Sequence, residues 1–195
     1  MFQIDIQSVP NARLAAAIHA PNQIRPLGEG VFAKVYTNGL DEVIKISSGD
    51  EPDWGYLTYL EEIQKAPSGN TWLPEIRDVK VYMDDWDNMA LVVRMERLHP
   101  VKYWHDDVAD DLRAIRNAAR TAARDDDRLP HTMNTGEARA AQEAIEVIRR
   151  AAAASNHCLD LHDGNFMQRP DGTIVITDPL GFSRTETSAW PETTN

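Results

Sequence analysis

The feature that most constrains this chain is a polar motif near its C-terminal end, followed by a predicted hairpin. Residues 160–165 read Asp-Leu-His-Asp-Gly-Asn, and Asp178 comes 13 residues after Asn165. Between them, Pro-Asp-Gly at 170–172 is typical of a tight turn, and residues 173–177 are typical of the strand that leaves it. Because a hairpin folds the chain back on itself, we expect Asp178 to return to Asn165.

These polar residues supply the side chains that phosphoryl transfer requires. The reaction needs a carboxylate that orients the attacking hydroxyl group and accepts its proton, and hard oxygen ligands that hold Mg²⁺ against the phosphates. Asp160 is the candidate for the first role, and Asn165 and Asp178 are the candidate metal ligands. Each alone could be a surface residue near a turn, so the interpretation depends on the rest of the chain. His162, inside the motif, is interpreted as a hydrogen-bonded structural residue and is not counted as catalytic.

A glycine-rich loop between two predicted strands is the second feature. Residues 27–36 read Leu-Gly-Glu-Gly-Val-Phe-Ala-Lys-Val-Tyr, and glycines allow backbone N–H groups to approach a phosphate without a Cβ in the way. A β-turn would explain the glycines equally well. A dinucleotide-binding loop is excluded, because such a loop leads directly into a helix, whereas residues 24–46 read as strands.

Lys45 is the third feature, because a lysine is rarely buried without a partner. It lies in Val-Ile-Lys-Ile at 43–46, which predicts a largely buried strand. A bound phosphate and a carboxylate from the helix predicted at 51–65 would be natural partners. Glu61 is the preferred carboxylate and Glu62 the alternative, although both could also be ordinary exposed glutamates.

The composition of the 195-residue chain excludes several classes of function. A formal net charge of −11 would repel nucleic acid and anionic membrane surfaces over most of the molecule. With Cys158 as the single cysteine, neither an intramolecular disulfide nor a thiolate metal cluster can form. Residues 1–10 contain no basic stretch and no long apolar run, so we expect no signal peptide, no spanning helix and a cytoplasmic protein.

The hydrophobic pattern predicts an α+β fold. Five predicted strands would form an antiparallel sheet. Glycine-bearing turns separate the first three, a helix follows the third, and a polar turn at 84–88 joins the last two. The strands are expected at 24–27, 35–36, 43–46, 78–83 and 89–95. One helix is expected at 51–65 and another at 136–154, whereas the alternating charges of 104–128 indicate a solvated helix face.

The order of these features along residues 24–182 resembles the protein-kinase-like superfamily. The order is a glycine loop, a strand lysine, a helix glutamate, a catalytic aspartate, an asparagine and a final aspartate. The loop is similar to that of eukaryotic-type kinases, with Ala33 in place of the third glycine. Residues 160–165 are similar to aminoglycoside and choline phosphotransferases, and Asp-Pro-Leu-Gly at 178–181 stands where protein kinases have Asp-Phe-Gly. With its short length, acidic surface and tryptophan-rich 51–74 segment, the chain most resembles the early serine/threonine kinases of short-tailed bacteriophages.

The resemblance implies a bilobal kinase fold that binds ATP and Mg²⁺. The N-lobe would span residues 1–98, and a reduced, mainly helical C-lobe would span 99–195, with ATP between them. Lys45 would contact the α- and β-phosphates and pair with Glu61, and residues 95–98 would form the hinge that holds adenine. The residues implied to bind ATP are Leu27, Gly28, Glu29, Gly30, Val31, Phe32, Ala33, Val35, Lys45, Met95, Glu96 and Leu98.

Departures from the kinase pattern leave three functions open. His162 replaces the lysine that Ser/Thr kinases carry two positions after the catalytic aspartate, and only 14 residues follow Gly181. The protein could phosphorylate serine or threonine on host proteins and on itself, phosphorylate a small molecule of the aminoglycoside or choline type, or bind partners without catalysis. We expect ATP and a hydroxyl-bearing acceptor, preferably a protein, as partners, and no nucleic acid or membrane. A second copy of the chain could cover apolar helix surface left by the short C-lobe.

Overall fold

The computed structural model describes residues 2–20, 26–30, 33–37, 39, 41–48, 53–101, 112–117 and 135–183. The chain divides into two compact units. The first comprises Met1–Leu57 and Pro74–Arg97, and the second comprises Thr58–Leu73 and Leu98–Asn195. Residues 58–73, which the sequence placed in the N-lobe, therefore group with the C-terminal half of the chain.

The first unit is built around a six-stranded mixed sheet. Its strands are β1 (Ile4–Ser8), β2 (Gly28–Glu29), β3 (Ala33–Thr37), β4 (Glu42–Ser47), β5 (Ile76–Met83) and β6 (Met89–Glu96). They lie in the order β1-β5-β6-β4-β3-β2, in which β1 runs parallel to β5 and every other pair is antiparallel. The α+β class is confirmed, but the prediction of five antiparallel strands is wrong, because the sheet has a sixth strand, β1, that runs parallel to β5.

The extra strand is accompanied by a short helix, α1 (Ala12–Ala17). The side chain of Asn11 accepts a hydrogen bond from the Leu14 backbone nitrogen at 2.9 Å, which caps the start of the helix. Ala12 and Ala16 are buried, and their small side chains allow the helix to lie close to the sheet. They share one hydrophobic core cluster with residues of β4, β5 and β6, namely Ile44, Ile46, Tyr82, Ala90 and Val92.

The central strand β6 is almost entirely apolar and buried, as the sequence predicted. Its two exceptions are Glu96, which is half-buried at the end of the strand, and Arg94, which is exposed. The guanidinium group of Arg94 donates to both carboxylate oxygens of the buried Glu42 at 2.9 and 3.2 Å. Arg77 donates to the same carboxylate at 3.0 Å. Two cations therefore compensate the one buried charge at this end of the sheet.

Two long helices are described, α2 (Trp54–Lys65) and α4 (Thr135–Ser155), and residues 112–117 are helical and form α3. Asp53 caps α2, because its carboxylate accepts a hydrogen bond from the Tyr56 backbone nitrogen at 3.1 Å. The helix predicted at 136–154 is confirmed as α4. Of the apolar stripe that the sequence predicts on this helix, Ala144, Ile145 and Ile148 are buried, whereas Ala140 is half-buried. Apart from α3, the segment predicted as a solvated helix face lies outside the described residues. Within the described parts of the chain, no helix is both long and apolar enough to cross a membrane.

Two small sheets are described in the second unit, beside α4. Their strands are β7 (His99–Pro100), β8 (His157–Leu159), β9 (Phe166–Gln168), β10 (Ile174–Ile176) and β11 (Leu180–Ser183). One sheet has the order β10-β9-β7, and the other pairs β11 with β8. The polar motif at 160–165 connects β8 to β9, so each of its ends is held by a strand.

Candidate active site

The predicted hairpin after the polar motif is present and well formed. Strands β9 and β10 are antiparallel, with Ile176 opposite Phe166. The turn between them is closed by a hydrogen bond from the Gly172 backbone nitrogen to the Arg169 carbonyl at 3.0 Å. Gly172 has a φ of 91°, a backbone conformation that favours glycine. Asp171 accepts a hydrogen bond from the backbone nitrogen of Thr173, which lowers the pKa of its carboxyl group.

Backbone hydrogen bonds connect Asp160 and Asn165 to the residues on either side of Asp178. The Thr177 backbone nitrogen donates to the Asn165 carbonyl at 2.9 Å, and the Asp160 backbone nitrogen donates to the Pro179 carbonyl at 2.7 Å. The residues on both sides of Asp178 are thus bonded to Asn165 and to Asp160. The hairpin brings the chain around Asp178 back to the polar motif, as the sequence predicted.

The side chain of Asn165 is oriented by a hydrogen bond that it donates. Its Nδ2 donates to the Asp160 carbonyl at 2.7 Å, so Oδ1 is the amide atom that remains to accept a cation. Asp178 is half-buried and supplies a carboxylate. These hard oxygen ligands are of the type that Mg²⁺ prefers, and Mg²⁺ is usually bound by one or two carboxylates together with substrate phosphates. The described residues contain no group of three or more His, Cys, Asp or Glu that could hold a metal without such phosphates.

The carboxylate of Asp160 is accessible, with 47% of its side chain exposed. It lies against Gly181, where an added Cβ would come within 3.2 Å of the Asp160 Cβ and 3.7 Å of Oδ2. A contact at 3.2 Å is tight enough that a larger side chain at 181 would have to push Asp160 aside. The glycine at this position therefore leaves room for the candidate proton acceptor.

His162 makes the structural hydrogen bond that the sequence analysis expected. Its Nδ1 accepts from the Gly164 backbone nitrogen at 3.0 Å, which caps the short 3₁₀ turn Asp163–Asn165. The other ring nitrogen, Nε2, lies 3.8 Å from Oδ2 of Asp160. The ring is therefore both a cap for the loop and a neighbour of the candidate proton acceptor.

Arg116 on α3 contacts the polar motif, which the sequence analysis did not predict. Its guanidinium group forms an ion pair with Asp163 and lies over the ring of the buried Phe166, 5.1 Å from the ring centroid. Its Nε is buried and has no hydrogen-bond partner among the described residues. Arg116 thus holds the tip of the polar motif and the first residue of β9. In the sequence it is one arginine among many alternating charges, so nothing local marks it.

Lys45 in the first unit is buried on β4, with 7% exposure, as predicted. Its Nζ lies 3.4 Å from the centroid of the Tyr56 ring, which is a cation–π contact. Tyr56 is itself buried on the first turn of α2. The lysine is therefore held by an aromatic face within its own unit.

The two glutamates proposed as partners of Lys45 have different surroundings. Glu61 is exposed, whereas Glu62 is buried and its two carboxylate oxygens accept hydrogen bonds from Lys65 and Arg150, each at 2.7 Å. Burial alone would raise the pKa of Glu62, but the hydrogen bonds from Lys65 and Arg150 outweigh burial and lower it. The pairing of Glu61 with Lys45 stays a prediction.

The glycine-rich loop starts from the short antiparallel pair of strands β2 and β3. The Leu27 backbone nitrogen donates to the Val35 carbonyl at 2.7 Å, and the Gly30 backbone nitrogen donates to the Ala33 carbonyl at 2.8 Å. Gly28 and Glu29, predicted as part of a turn, are instead paired with β3 in β2. A Cβ on Gly28 would meet no atom of the described residues within 4 Å. Val31 and Phe32 lie outside the described residues.

The predicted hinge, residues 95–98, begins within β6 and continues past the end of that strand. Met95 is buried on that strand. The backbone nitrogen of Glu96 donates to the Glu75 carbonyl at 3.0 Å, and the Glu75 backbone nitrogen donates to the Glu96 carboxylate at 2.8 Å. Leu98 is buried in the second unit. A role of Met95, Glu96 and Leu98 in adenine binding stays a prediction.

Comparison with protein families decides the class of the chain. A family model described as Bacteriophage T7 protein kinase 0.7 matches residues 25–194, which is most of the chain. The chain belongs to this family. Its expected class, a kinase, is thereby confirmed, as is its relation to phage kinases. No curated protein matches the chain.

The match to the phage kinase family also separates two parts of the first unit. It begins at residue 25 and so includes the glycine-rich loop, Lys45 and all the candidates of the second unit. Strand β1 and helix α1, which the sequence analysis did not predict, lie before the match begins. The described sheet therefore combines strands inside the family match with one strand outside it.

Proposed function

We propose that this phage kinase transfers the γ-phosphate of ATP to serine or threonine hydroxyl groups of host proteins in the host cytoplasm, with Mg²⁺ as its metal. The observation that carries the proposal is the hydrogen-bonded arrangement of the second unit. Asp160 and Asn165 are bonded to each other and to the residues that flank Asp178. A phosphoryl-transfer site needs a proton acceptor close to metal ligands, and membership of a protein kinase family supports the same reaction.

In this proposal each residue of the second unit has a separate task. The carboxylate of Asp160 orients the acceptor hydroxyl group and takes its proton. The amide oxygen of Asn165 and the carboxylate of Asp178 would hold Mg²⁺, which neutralises negative charge on the phosphates. The remaining catalysis is positioning, because phosphoryl transfer asks little covalent chemistry of the protein.

The first unit would supply the nucleotide contacts. Lys45 would neutralise charge on the α- and β-phosphates, and Glu61 would pair with Lys45. The backbone of the glycine-rich loop would cover the phosphates, and residues 95–98 would bind adenine. In the part of the chain that the structure describes, no atom lies within 4 Å of a Cβ built on Gly28, which supports a loop backbone that a phosphate can approach.

The test is transfer of label from γ-labelled Mg-ATP to proteins of a bacterial lysate and to the kinase itself, compared with the Asp160→Asn variant. Asparagine keeps the size of the side chain and leaves both backbone hydrogen bonds of residue 160 intact. We expect the variant to lose transfer by at least about 100-fold, the usual contribution of general acid–base catalysis, with an unchanged melting temperature. Equal labelling by both proteins would contradict the role of Asp160.

A small-molecule acceptor is the second candidate, because residues 160–165 are similar to aminoglycoside and choline phosphotransferases and lack the lysine of Ser/Thr kinases. The same assay separates the two acceptor classes. Label that appears in the small-molecule fraction of the lysate, and not on protein, would select the second candidate. ATP binding without transfer to either fraction would select the third one, a kinase fold that acts by binding alone.

A further inference from the structure

The imidazole of His162 is held in one tautomer by the backbone. A backbone N–H is a donor, so Nδ1, which receives the bond from Gly164 at 3.0 Å, must present its lone pair. The proton of the neutral ring is then on Nε2. His162 therefore presents a hydrogen-bond donor on the side of the ring that faces Asp160.

The distance between this donor and the Asp160 carboxylate allows one further atom to form a hydrogen bond with each of them. The 3.8 Å between Nε2 and Oδ2 is too long for a direct hydrogen bond. Hydrogen bonds to oxygen have a usual length of about 2.8 Å, and two such bonds span more than 3.8 Å, so one oxygen atom can bond to both groups at once. Both side chains are open to such an atom, since 60% of His162 and 47% of Asp160 is exposed.

The geometry points to His162 as a second residue that contacts the acceptor hydroxyl group. This inference rests on the proposed function. The Nε2–H of His162 donates to the hydroxyl oxygen, while the hydroxyl proton is donated to Asp160. One lone pair of the hydroxyl oxygen then accepts from His162 and its proton is donated to Asp160, so the second lone pair of this oxygen is the one that attacks the γ-phosphorus. The new O–P bond then forms as the bond from the γ-phosphorus to the bridging oxygen breaks, ADP leaves, and the proton ends on Asp160.

Gly164 is the residue that allows this ring position. A Cβ at 164 would lie 2.7 Å from Cε1 and 3.1 Å from Nδ1 of His162, which is closer than such atoms approach. The backbone of Gly164 does not have a positive φ, so alanine fits the backbone and would only displace the ring. The substitution Gly164→Ala is therefore a way to move His162 without changing it.

Two substitutions of His162 separate contact with the acceptor from capping of the loop. Asparagine places its amide where Nδ1 lies and can still cap Gly164, but it has no group at the position of Nε2. Glutamine places its amide near the position of Nε2 and loses the cap. We expect His162→Asn to lower kcat by about 10- to 100-fold, the effect of one hydrogen bond near developing charge, and His162→Gln to retain more activity than His162→Asn. A residue that only caps the loop would give the reverse order.

The assay is initial-rate labelling of bacterial lysate proteins by γ-labelled Mg-ATP, with Mg-ATP varied so that kcat and KM are obtained separately. The KM for Mg-ATP is expected to stay the same in both variants, because His162 is proposed to contact the acceptor. An increase in that KM with constant kcat would overturn the inference. Wild-type activity in His162→Asn would also overturn it and would leave the proposed function standing.

A double-mutant cycle gives a second, independent test. Gly164→Ala is expected to lower kcat in the natural chain, but by less than about 2-fold when His162 is already alanine, because no ring remains to be displaced. Equal losses in both backgrounds would overturn the inference. If the natural chain transfers no label at all, the proposed function fails, and this inference fails with it.

Discussion

Lys45 in the first unit and Asp160 in the second are held in place in different ways. Lys45 lies within a long strand, between Val35 of β3 and Val93 of β6, and its side chain is buried against Tyr56. Asp160 lies between short strands, half exposed, and its backbone position depends on bonds to Asn165 and Pro179. The first environment is specified by apolar burial and strand register, and the second by a few individual hydrogen bonds.

This difference indicates how each region should respond to substitution. In a packed sheet the neighbouring strands hold the backbone, so removal of one functional side chain should change activity without changing the fold. In the polar motif, the same side chains take part in catalysis and stabilise the loop, so one substitution can lower both activity and stability. Four predictions, ordered from the largest expected effect to the smallest, test this contrast.

The largest effect is expected for Asp178→Ala. The change removes a proposed metal ligand, so phosphoryl transfer should fall by more than about 1,000-fold. Labelling of lysate proteins by γ-labelled Mg-ATP measures it. The matched control is Asp171→Ala, at the exposed turn of the same hairpin, which should keep most of the activity. Comparable losses in the two variants would show that hairpin integrity, and not the metal, explains the result.

Lys45→Met should separate activity from stability most clearly. Methionine retains an apolar side chain against Tyr56 but has no charge for a phosphate, so we expect transfer to fall by at least about 100-fold. The free energy of unfolding, measured with urea, should change by less than about 1 kcal/mol. The control Lys34→Met removes the exposed lysine on β3 that pairs with Glu29. If Lys45→Met unfolds the chain, the contrast between the two regions is wrong.

Arg116→Ala should moderately reduce both stability and activity, because Arg116 pairs with Asp163 and packs over the ring of Phe166. We expect a loss of about 1 kcal/mol in unfolding free energy, typical of a partly exposed ion pair with a cation–π contact. Transfer should fall by roughly 10-fold, since a loosened loop misplaces the proton acceptor. Arg113→Ala, at an exposed position of the same helix, is the control and should lose less activity than Arg116→Ala. Loss of stability with full activity would remove Arg116 from the site.

The smallest effect is a pH-dependent one at Glu62. Its pKa is lowered from the ordinary 4.5 by Lys65 and Arg150, so the ionised form stabilises the fold above pH 4.5. That stabilisation declines as the pH falls through the lowered pKa. Glu62→Gln should therefore cost about 1 kcal/mol at about pH 7, and the cost should shrink as the solution is acidified in urea unfolding. Glu61→Gln, next to it and exposed, should show no such trend; a cost that is constant with pH would contradict the assigned ion pairs.

The parts of the fold that the sequence predicted well depend on neighbouring residues. Pro-Asp-Gly at 170–172 specifies the turn of the hairpin by backbone preference, and Gly172 adopts the expected positive φ. The apolar run of β6 indicates a buried strand by composition alone. The order of the candidate residues along the chain also indicates a kinase, which is the class that the family match confirms. These features require no knowledge of what lies far away in the chain.

The errors concern contacts between distant segments. Strand β1 was missed although residues 1–10 alternate, because alternation does not reveal a partner, and Ile4 finds Val79 beside it only in the folded chain. Glu62 was an alternative partner for Lys45, yet its carboxylate is bonded to Arg150 on α4. Each partner is chosen by which segments the whole sheet and helix arrangement places side by side.

The sequence by itself determined the chemical groups, their order along the chain, and the turn that returns Asp178 to the polar motif. Only the tertiary structure decided that Arg116 holds Asp163 and that the His162 ring presents its Nε2 to Asp160. The reason is physical. Turn and strand preferences act over a few residues, whereas the position of a donor within a few ångströms of a carboxylate depends on packing and hydrogen bonds from several segments at once.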